Sequence, residues 1–384
     1  MGYLKFLFGE KLLFGSLIGL MISCNHKNLE KNEASIQAFE LSEIEKIQKD
    51  ELEVFDLIAL ETTSENLMGT DVRIRSSKDY FFVFDEAIQD GVHQFQKNGE
   101  YMGRRAIVGE GPNTINRLND FFVGEDGTLE VLSSNGDQAQ VYSVGEDNSI
   151  KLILKVDYYP SSFTKLPNGE YLFYGSYNLP YVSHRMIRTD STGIVLEKYL
   201  ENEYTNKMLP MSERNFFYSG SSLYVVESFN KNIYQFQNNL IEPIVEIDFG
   251  NYAIPSKFWE LNLLEGGFDL LQQNGFAFYN GYFKNQEYSL VSIHIQKPAG
   301  IFKNIIFTNE LTGNQRVLET SLSDDYLFHY PFGIEGDEFL FFTYDSEIKK
   351  EKGLSLRAEL LDKIPNAEFD YPVLMKVKIN KDDN

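Results

Sequence analysis

Short hydrophobic or alternating runs, separated by turn dipeptides such as Asn-Gly, Asp-Gly and Ser-Gly, fill the chain beyond residue 50. Such runs predict short β-strands joined by tight hairpin turns. Two stretches interrupt this pattern, residues 256–272 and residues 352–363, and both favour helix. The body of the chain is therefore predicted to be all-β with two short helical inserts.

The strand pattern repeats along the chain. Residues 129–142 (LEVLSSNGDQAQVY) align without a gap with residues 223–236 (LYVVESFNKNIYQF), and residues 81–95 align with both after one insertion. The starts at 81, 129 and 223 are separated by 48 and 94 residues, and 94 is twice 47. A repeat of about 40 to 50 residues that holds several strands is typical of a β-propeller.

The number of blades follows from the second strand of the repeat, which we name the B strand of each four-stranded (A to D) blade. Six segments match it, so we predict six blades, with seven as the alternative. The six lie around Phe82, Glu130, Leu172, Tyr224, Phe278 and Leu340. The last blade lacks an outermost strand, and residues 54–60 form a strand without a blade. If residues 54–60 pair with the final strand, residues 373–379, they supply the missing strand of the last blade. This pairing would close the ring and remove two exposed sheet edges.

The N-terminus resembles a bacterial lipoprotein signal. Two lysines precede an apolar run over residues 12–22, and this run is too short for a membrane-spanning helix, which needs about 20 residues. The run ends next to Cys24, the single cysteine of the chain. Residues 21–24 (MISC) resemble a lipobox, which implies that residues 1–23 are removed and that Cys24 is lipidated.

Residues 24–50 are polar and charged, and we interpret them as a tether with a short helix near residues 42–48. The propeller domain then covers residues 51–384. Asn25 follows the cysteine, and no aspartate is there to favour retention in the inner membrane. We therefore predict an outer-membrane lipoprotein, on either the periplasmic or the cell-surface side.

The net charge and the cysteine content restrict the classes of partner that the chain can bind. Its 35 Lys and Arg residues against 57 Asp and Glu residues give a formal net charge of −22. Nucleic-acid binding needs clustered basic residues, so nucleic acid is not an expected partner. A single cysteine excludes a disulfide framework and a cysteine-rich metal centre. The predicted partners are the membrane, through the lipid, and a glycan or protein, and no cofactor is predicted.

Three segments resemble the six-bladed β-propeller lipoproteins of Bacteroidetes. They are LETT at residues 60–63, FQKNGEYMGRRAIVGEGP at residues 95–112 and FDYPVLMKVKIN at residues 369–380. The resemblance extends over about residues 50–380, and it departs at Asp370-Tyr371-Pro372, where the family usually has Asp-Asn-Pro. It implies the fold and an envelope location, but no particular chemistry.

One end of the predicted propeller is the better candidate for ligand binding. The loops between B and C strands and the connections from D to the next A strand emerge there together, and both helical inserts fall in this set. Insertions gather at functional faces. The acidic and aromatic residues predicted for this end are Asp85, Glu86, Asp90, Glu110, Tyr177, Tyr181, Glu227 and Asp345. This mixture suits a glycan, peptide or protein, although acids in loops mostly serve solubility.

Motifs for catalysis are weak. Residues 109–112 (GEGP) lack the lysine of a phosphate loop, so we interpret them as a D–A turn. No Gly-x-Ser-x-Gly elbow is present in the sequence. Beyond residue 50, four histidines occur singly, the first and third on predicted C strands, and no metal site is predicted from them. They are His93, His184, His294 and His329. A binding or scaffold role is preferred, and the alternative is a propeller lyase or hydrolase that acts on a glycan or peptide through acidic residues of the same face.

Overall fold

The computed structural model describes residues 36–379, apart from residues 136–137, 179–180, 204–212, 262–265, 322–326, 329, 351–359, 361 and 364–368. Six antiparallel sheets form the blades of a propeller. The inner strands of successive blades contact one another in a complete ring around the central axis. The prediction of six blades is confirmed, and seven is excluded.

The strands follow in chain order. The N-terminal segment contains β1 (Gln37–Glu40), β2 (Glu45–Lys46) and β3 (Leu52–Ala59). Blade 1 contains β4 (Val72–Ser76), β5 (Tyr80–Asp85), β6 (Val92–Gln96) and β7 (Tyr101–Arg105). Blade 2 contains β8 (Asp120–Val123), β9 (Leu129–Asn135), β10 (Gln138–Val144) and β11 (Ile150–Val156). Blade 3 contains β12 (Ser162–Lys165), β13 (Tyr171–Tyr174), β14 (His184–Thr189) and β15 (Val195–Glu201).

The remaining blades carry the helices. Blade 4 contains β16 (Phe216–Ser219), β17 (Ser222–Val226), β18 (Asn232–Gln237) and β19 (Leu240–Asp248). Helices α1 (Ser256–Glu260) and α2 (Gly267–Asn274) follow. Blade 5 contains β20 (Phe276–Lys284), β21 (Tyr288–Lys297), β22 (Gly300–Asn309) and β23 (Gln315–Ser321). Blade 6 contains β24 (Tyr330–Glu335), β25 (Glu338–Tyr344), helix α3 (Asp345–Lys350) and β26 (Pro372–Ile379).

Blade 6 is completed by the other end of the propeller domain. Strand β3 pairs antiparallel with β26, from Val373 opposite Ala59 to Ile379 opposite Leu52. Leu52, Val54 and Leu57 belong to the same buried core cluster as the inward side chains of β26. The predicted closure is confirmed, and it satisfies backbone groups that would otherwise form two open edges.

A tight C–D turn fixes the neighbouring blade at this closure. Gly99 has a φ of +92°, and a Cβ at this position would lie 2.0 Å from the carbonyl oxygen of Ala59 on β3. Gly193, in the C–D turn of blade 3, has the same φ, and its Cβ would lie 2.2 Å from the carbonyl oxygen of Lys155 in blade 2. Only glycine permits both this backbone conformation and this close approach.

The strand assignment of blade 5 corrects the sequence analysis. The segment around Phe278 lies in β20, the inner A strand, and the B strand is β21. His294 therefore lies on a B strand, whereas His93 lies on a C strand as predicted. The two strands are joined by a turn in which the Asn285 side chain accepts hydrogen bonds from the backbone N–H groups of Glu287 and Tyr288. This turn contains no glycine, so the pattern of Gly dipeptides did not reveal it.

The second half of the predicted tether is part of the propeller. Strand β1 pairs parallel with the outer edge of blade 4, and β2 pairs parallel with the outer edge of blade 5. Short 3-10 turns at Leu41–Glu43 and Lys49–Glu51 replace the helix predicted near residues 42–48. Ile47 is buried in the core, because the scattered apolar residues of this segment pack against the two blades. Residues 24–35 lie outside the described residues.

Both predicted helical inserts fall in the expected loops as far as they are described. The first is divided into α1 and α2 and connects blade 4 to blade 5. Helix α3 begins the B–C loop of blade 6, and the helix predicted over residues 352–363 lies mostly outside the described residues. Within the described part of the chain, none of the helices has the length and hydropathy that crossing a membrane requires.

Candidate functional site at the mouth of the central channel

Charged side chains from different blades meet around the inner strands, at the end that carries the B–C loops and D–A connections. Arg73 on β4 donates to Asp120 on β8, with 2.5 Å between Nη1 and Oδ1. Its Nε and Nη2 atoms also donate to Oε1 of Glu86, at 3.1 and 2.9 Å. Arg73 is thus held by carboxylates of two blades.

Asp120 joins three blades. Its carboxylate is fully buried and also accepts hydrogen bonds from Arg75, at 3.2 Å, and from the backbone N–H of Phe163 in blade 3, at 3.0 Å. Burial by itself lowers the pKa of Arg73, but the charges of Glu86 and Asp120 outweigh this effect and raise the pKa. The guanidinium therefore stays charged beside the two carboxylates.

Arg214 extends this arrangement across the channel. It lies in the connection that enters blade 4, and its Nη2 atom donates to Asp71 at 3.0 Å and to Glu86 at 3.2 Å. Its guanidinium also lies 4.2 Å from the ring centroid of Tyr330 on blade 6. Asp71, Arg73, Glu86, Asp120 and Arg214 together form what we name the channel-mouth network.

A second buried acid lies behind the network. Glu213 accepts hydrogen bonds from the Ser176 hydroxyl, from Nδ2 of Asn215 at 3.1 Å and from the backbone N–H of Ser228 at 3.3 Å. Asn215 in turn accepts from the Ser162 hydroxyl at 2.6 Å and donates to the Val226 carbonyl at 2.8 Å. Burial raises the pKa of Glu213, although all three donors oppose this effect.

A similar buried pair links blades 3 and 4. Glu227 accepts from Arg185, with 2.5 Å between Nε and Oε1, and from the Tyr174 hydroxyl at 3.0 Å. The Arg185 guanidinium lies 4.9 Å from the ring centroid of Tyr177. Glu227 and Tyr177 were both candidate ligand residues, but the structure buries them between loops, where they hold two blades together.

The other candidates lie at the predicted end without converging on one site. Asp85 is buried and accepts hydrogen bonds from the backbone N–H groups of Gly69, Ala87 and Ile88. Asp90 pairs with His93 and with Arg104, at 3.0 and 2.9 Å. Asp345 pairs with Lys349 within α3. Glu110 and Tyr181 are exposed. Among the eight candidates, only Glu86 belongs to the channel-mouth network.

The α1–α2 insert builds up the same end of the propeller. Tyr177 in the B–C loop of blade 3 packs against Trp259, with ring centroids 4.8 Å apart. Phe229 in the B–C loop of blade 4 contacts Phe258, at 5.9 Å. These rings form a small core separate from the blades. The insert is therefore fixed on two loops, and Phe268 on α2 stays partly exposed beside them.

The three histidines that the structure describes do not form a cluster. His93, His184 and His294 belong to blades 1, 3 and 5, and His329 lies outside the described residues. Burial lowers the pKa of His93, and the opposing charge of Asp90 is the weaker influence. In the part of the chain that the structure describes, no three His, Cys, Asp or Glu side chains are placed to hold a metal ion.

Sequence reasoning missed the residues that do converge, namely Arg73, Asp120, Glu213 and Arg214. A signal was present, because Arg73 and Arg75 alternate with valine and isoleucine on a strand that the repeat makes an inner one. A charged side chain that is buried on an inner strand needs a partner. Nothing in the sequence names those partners.

The family model described as "Domain of unknown function (DUF4934)" matches residues 42–384. The chain belongs to the DUF4934 family. The start of this match, at residue 42, falls within the N-terminal segment that pairs with blades 4 and 5, so the DUF4934 match includes β2 as well as the blades. No curated protein matches the sequence.

Comparison with solved structures finds several that are similar to this DUF4934 protein. A Bacteroides fragilis NCTC 9343 protein assigned as exported is 19% identical, with a TM-score of 0.71, over 90% of this chain and 100% of that chain. A protein of unknown function from Bacteroides caccae is 11% identical, with a TM-score of 0.37, over 65% of this chain and 80% of that one. Virginiamycin B lyase from Staphylococcus aureus is 13% identical, with a TM-score of 0.40, over 85% and 99%.

Proposed function

We propose that this DUF4934 protein is a lipid-anchored propeller of the bacterial outer membrane that binds a partner protein or peptide at the mouth of its central channel. In this proposal Cys24 carries the lipid, and the ring of blades serves as a rigid support. The B–C loops and D–A connections provide the contacts. The Bacteroides fragilis neighbour is assigned as exported, which agrees with an envelope location.

The observation that carries the proposal is the pairing of Arg214 with Asp71. The guanidinium is held in place by Glu86 and by the ring of Tyr330. Beside it, the Asp71 side chain is 66% exposed. A fixed cation next to an accessible anion presents both signs of charge to a partner, and complementary charges give specificity and faster association.

The α1–α2 insert supports the same proposal. It adds apolar and aromatic surface at this end, and aromatic residues are enriched at the centres of protein interfaces. Because its core packs on the loops of blades 3 and 4, the insert offers this surface without a large loss of conformational freedom on binding.

Charge reversal at the mouth tests the proposal. The whole chain is cross-linked in the cell envelope and purified, and the partners are identified for the wild type, for Asp71→Lys and for Glu125→Lys. Glu125 is an exposed acid in an A–B turn at the opposite end, so it is a matched control. We expect a specific partner to be recovered with the wild type and with Glu125→Lys, and to be lost with Asp71→Lys. Recovery of the same partners with Asp71→Lys, at an unchanged melting temperature, would contradict the proposal.

The anchor is tested separately. In this proposal the thiol of Cys24 accepts the lipid, and Cys24→Ala removes it. A signal segment that stays uncleaved in the variant does not replace a lipid anchor. We expect metabolic labelling with a fatty acid to mark the wild type and not the variant. Labelling of Cys24→Ala would show that the lipid, if present, is attached elsewhere.

A further inference from the structure

A cavity of about 300 Å³ lies between blades 4 and 5, away from the channel. It is bounded by the connection that follows β19, by residues of β21, β22 and β23 in blade 5 and by the link between β1 and β2. We name it the rim pocket and define it by six of its lining residues. They are Glu40, Asp248, Tyr252, Lys297, Asn304 and Glu319. None of them belongs to the channel-mouth network, so the inference below is independent of the proposed function.

Asn304 marks the rim pocket as a binding site. It lies on β22, is only 3% exposed and lines the cavity. Within the described residues, its side-chain amide has no hydrogen-bond partner. Its amide atoms are not among the described side-chain atoms that are shielded from solvent without a partner, so they are open to the pocket. An amide directed into a cavity of this size is therefore positioned to bind a ligand that both donates and accepts.

The charges around the amide limit the ligand. Three carboxylates line the pocket, those of Glu40, Asp248 and Glu319. Glu319 is paired with Lys46 at 2.6 Å. The charges of the other two, which are unpaired in the described part of the chain, disfavour an anion such as a phosphate. The ammonium of Lys297 lies 4.3 Å from the ring centroid of Phe302 and 5.2 Å from that of Tyr252. A cationic ligand would meet this like charge and would find the ring faces occupied. The lining thus favours a neutral ligand.

The hydrogen-bonding groups and the volume of the rim pocket restrict the class of ligand further. The carboxylates accept, the Lys297 ammonium donates, and the Asn304 amide does both. A hydroxyl group also does both, so a ligand with several hydroxyl groups can satisfy all of these side chains. The volume is at the lower end of the range for small-molecule sites, which is about 300–1,000 Å³. We propose that the rim pocket binds one or two neutral sugar rings.

The N-terminal segment completes this site. Glu40 follows directly from β1, which is held to blade 4, and the chain then crosses to β2 on blade 5. Glu40, Leu41 and Ser42 therefore supply one wall of the pocket when this segment is docked on both blades.

Titration of the whole chain with sugars tests the proposal. Isothermal titration calorimetry is carried out with neutral hexoses, N-acetylhexosamines and their disaccharides, and with glucuronate and glucosamine as charged probes. We expect at least one neutral sugar to bind with a Kd below about 1 mM. The charged probes should bind at least tenfold more weakly. Tighter binding of disaccharides than of monosaccharides would identify a glycan chain rather than a free sugar. Absence of binding by every neutral sugar, or tighter binding by a charged probe, overturns the proposal.

Two kinds of variant locate the binding. Asn304→Leu removes the amide and fills part of the cavity, and we expect it to weaken sugar binding by at least about tenfold. Glu40→Gln removes one acceptor at the opening, whereas Glu43→Gln removes the same charge three residues away, outside the pocket. We expect only Glu40→Gln to weaken binding, by a few-fold. If Asn304→Leu binds sugar as the wild type does, the proposal is wrong. Equal affinities of Glu40→Gln and Glu43→Gln overturn it even if Asn304→Leu fails to fold.

Discussion

The channel-mouth network and the rim pocket lie in the same propeller and are both rich in polar groups, yet their polar groups are satisfied in different ways. In the network, Arg73 and Asp120 are buried and have every charge paired within the protein. In the rim pocket, Asn304 is equally buried but has no partner among the described residues. The first arrangement stabilises the ring of blades, and the second keeps a polar group ready for a ligand.

This difference has a physical basis. The attraction within a buried ion pair offsets the cost of desolvating both charges only while the two charges stay paired. The channel-mouth network is therefore stable only in a rigid arrangement. The Asn304 amide opens into a cavity, where water can reach it, so it costs little stability and stays available to a ligand. Substitutions that remove a polar group should therefore have opposite consequences in the two regions.

The largest effect is expected for Arg73→Met. The substitution leaves Glu86 and Asp120 with part of their charge uncompensated in a buried site, and breaking a buried pair costs about 3–5 kcal/mol. The free energy of unfolding from urea denaturation measures this loss. Lys231→Met is the control, because the pair of Lys231 with Glu246 is exposed and such pairs contribute at most about 1 kcal/mol. Equal losses in the two variants would show that the channel-mouth network does not stabilise the fold.

A matched pair of asparagine substitutions gives the sharpest comparison. Asn215→Leu deprives Glu213, Ser162 and the Val226 carbonyl of a partner, and we expect a loss of about 2 kcal/mol or more. Asn304→Leu removes an amide that has no partner, and we expect a change below about 0.5 kcal/mol, or a gain.

Both values come from the same denaturation experiment on the whole chain. A loss of similar size in Asn304→Leu would mean that the Asn304 amide is satisfied within the protein. In that case the contrast between the network and the pocket would disappear, together with the argument for a sugar site.

The titration of Glu213 is expected to have an effect that is smaller than the loss of Arg73 and that depends on pH. Burial raises its pKa above the ordinary value of 4.5. The folded state thus binds the proton more tightly than the unfolded state, so this contribution to stability is complete below pH 4.5 and is lost as the pH rises through the raised pKa. Glu213→Gln removes the titration. The wild type should lose stability relative to Glu213→Gln as the pH rises, by at most about 1.4 kcal/mol per pH unit.

Unfolding of both proteins between pH 4 and pH 8 measures this trend. Glu125→Gln, which changes an exposed acid, should show no such difference from the wild type. A difference between wild type and Glu213→Gln that stays constant with pH would show that Glu213 keeps the same protonation state throughout.

The sequence by itself determined the architecture of this protein. Alternating strands, turn glycines such as Gly99 and a repeat near 47 residues predicted six blades, and the unmatched strand before β4 predicted the closure with β26. These signals are local, because alternation and turn geometry depend on residues close together in the chain. The sequence was less informative at residues 36–50, where spaced apolar residues imitate a short helix but pack as edge strands on blades 4 and 5.

Only the tertiary structure decided which polar residues meet. Arg73 and Asp120 are 47 residues apart, and Asp71 and Arg214 are 143 apart. The rim pocket likewise joins Glu40 to Asp248 and Asn304 across two blades and the N-terminal segment. Burial and pairing depend on the distance between side chains in space. That distance is set by how the blades are arranged in the closed ring, and the local sequence pattern does not contain it. From the sequence alone, acidic residues such as Asp85, Glu86 and Glu227 could equally have been solvated loop residues. In the folded chain they are largely buried and hydrogen-bonded within the protein.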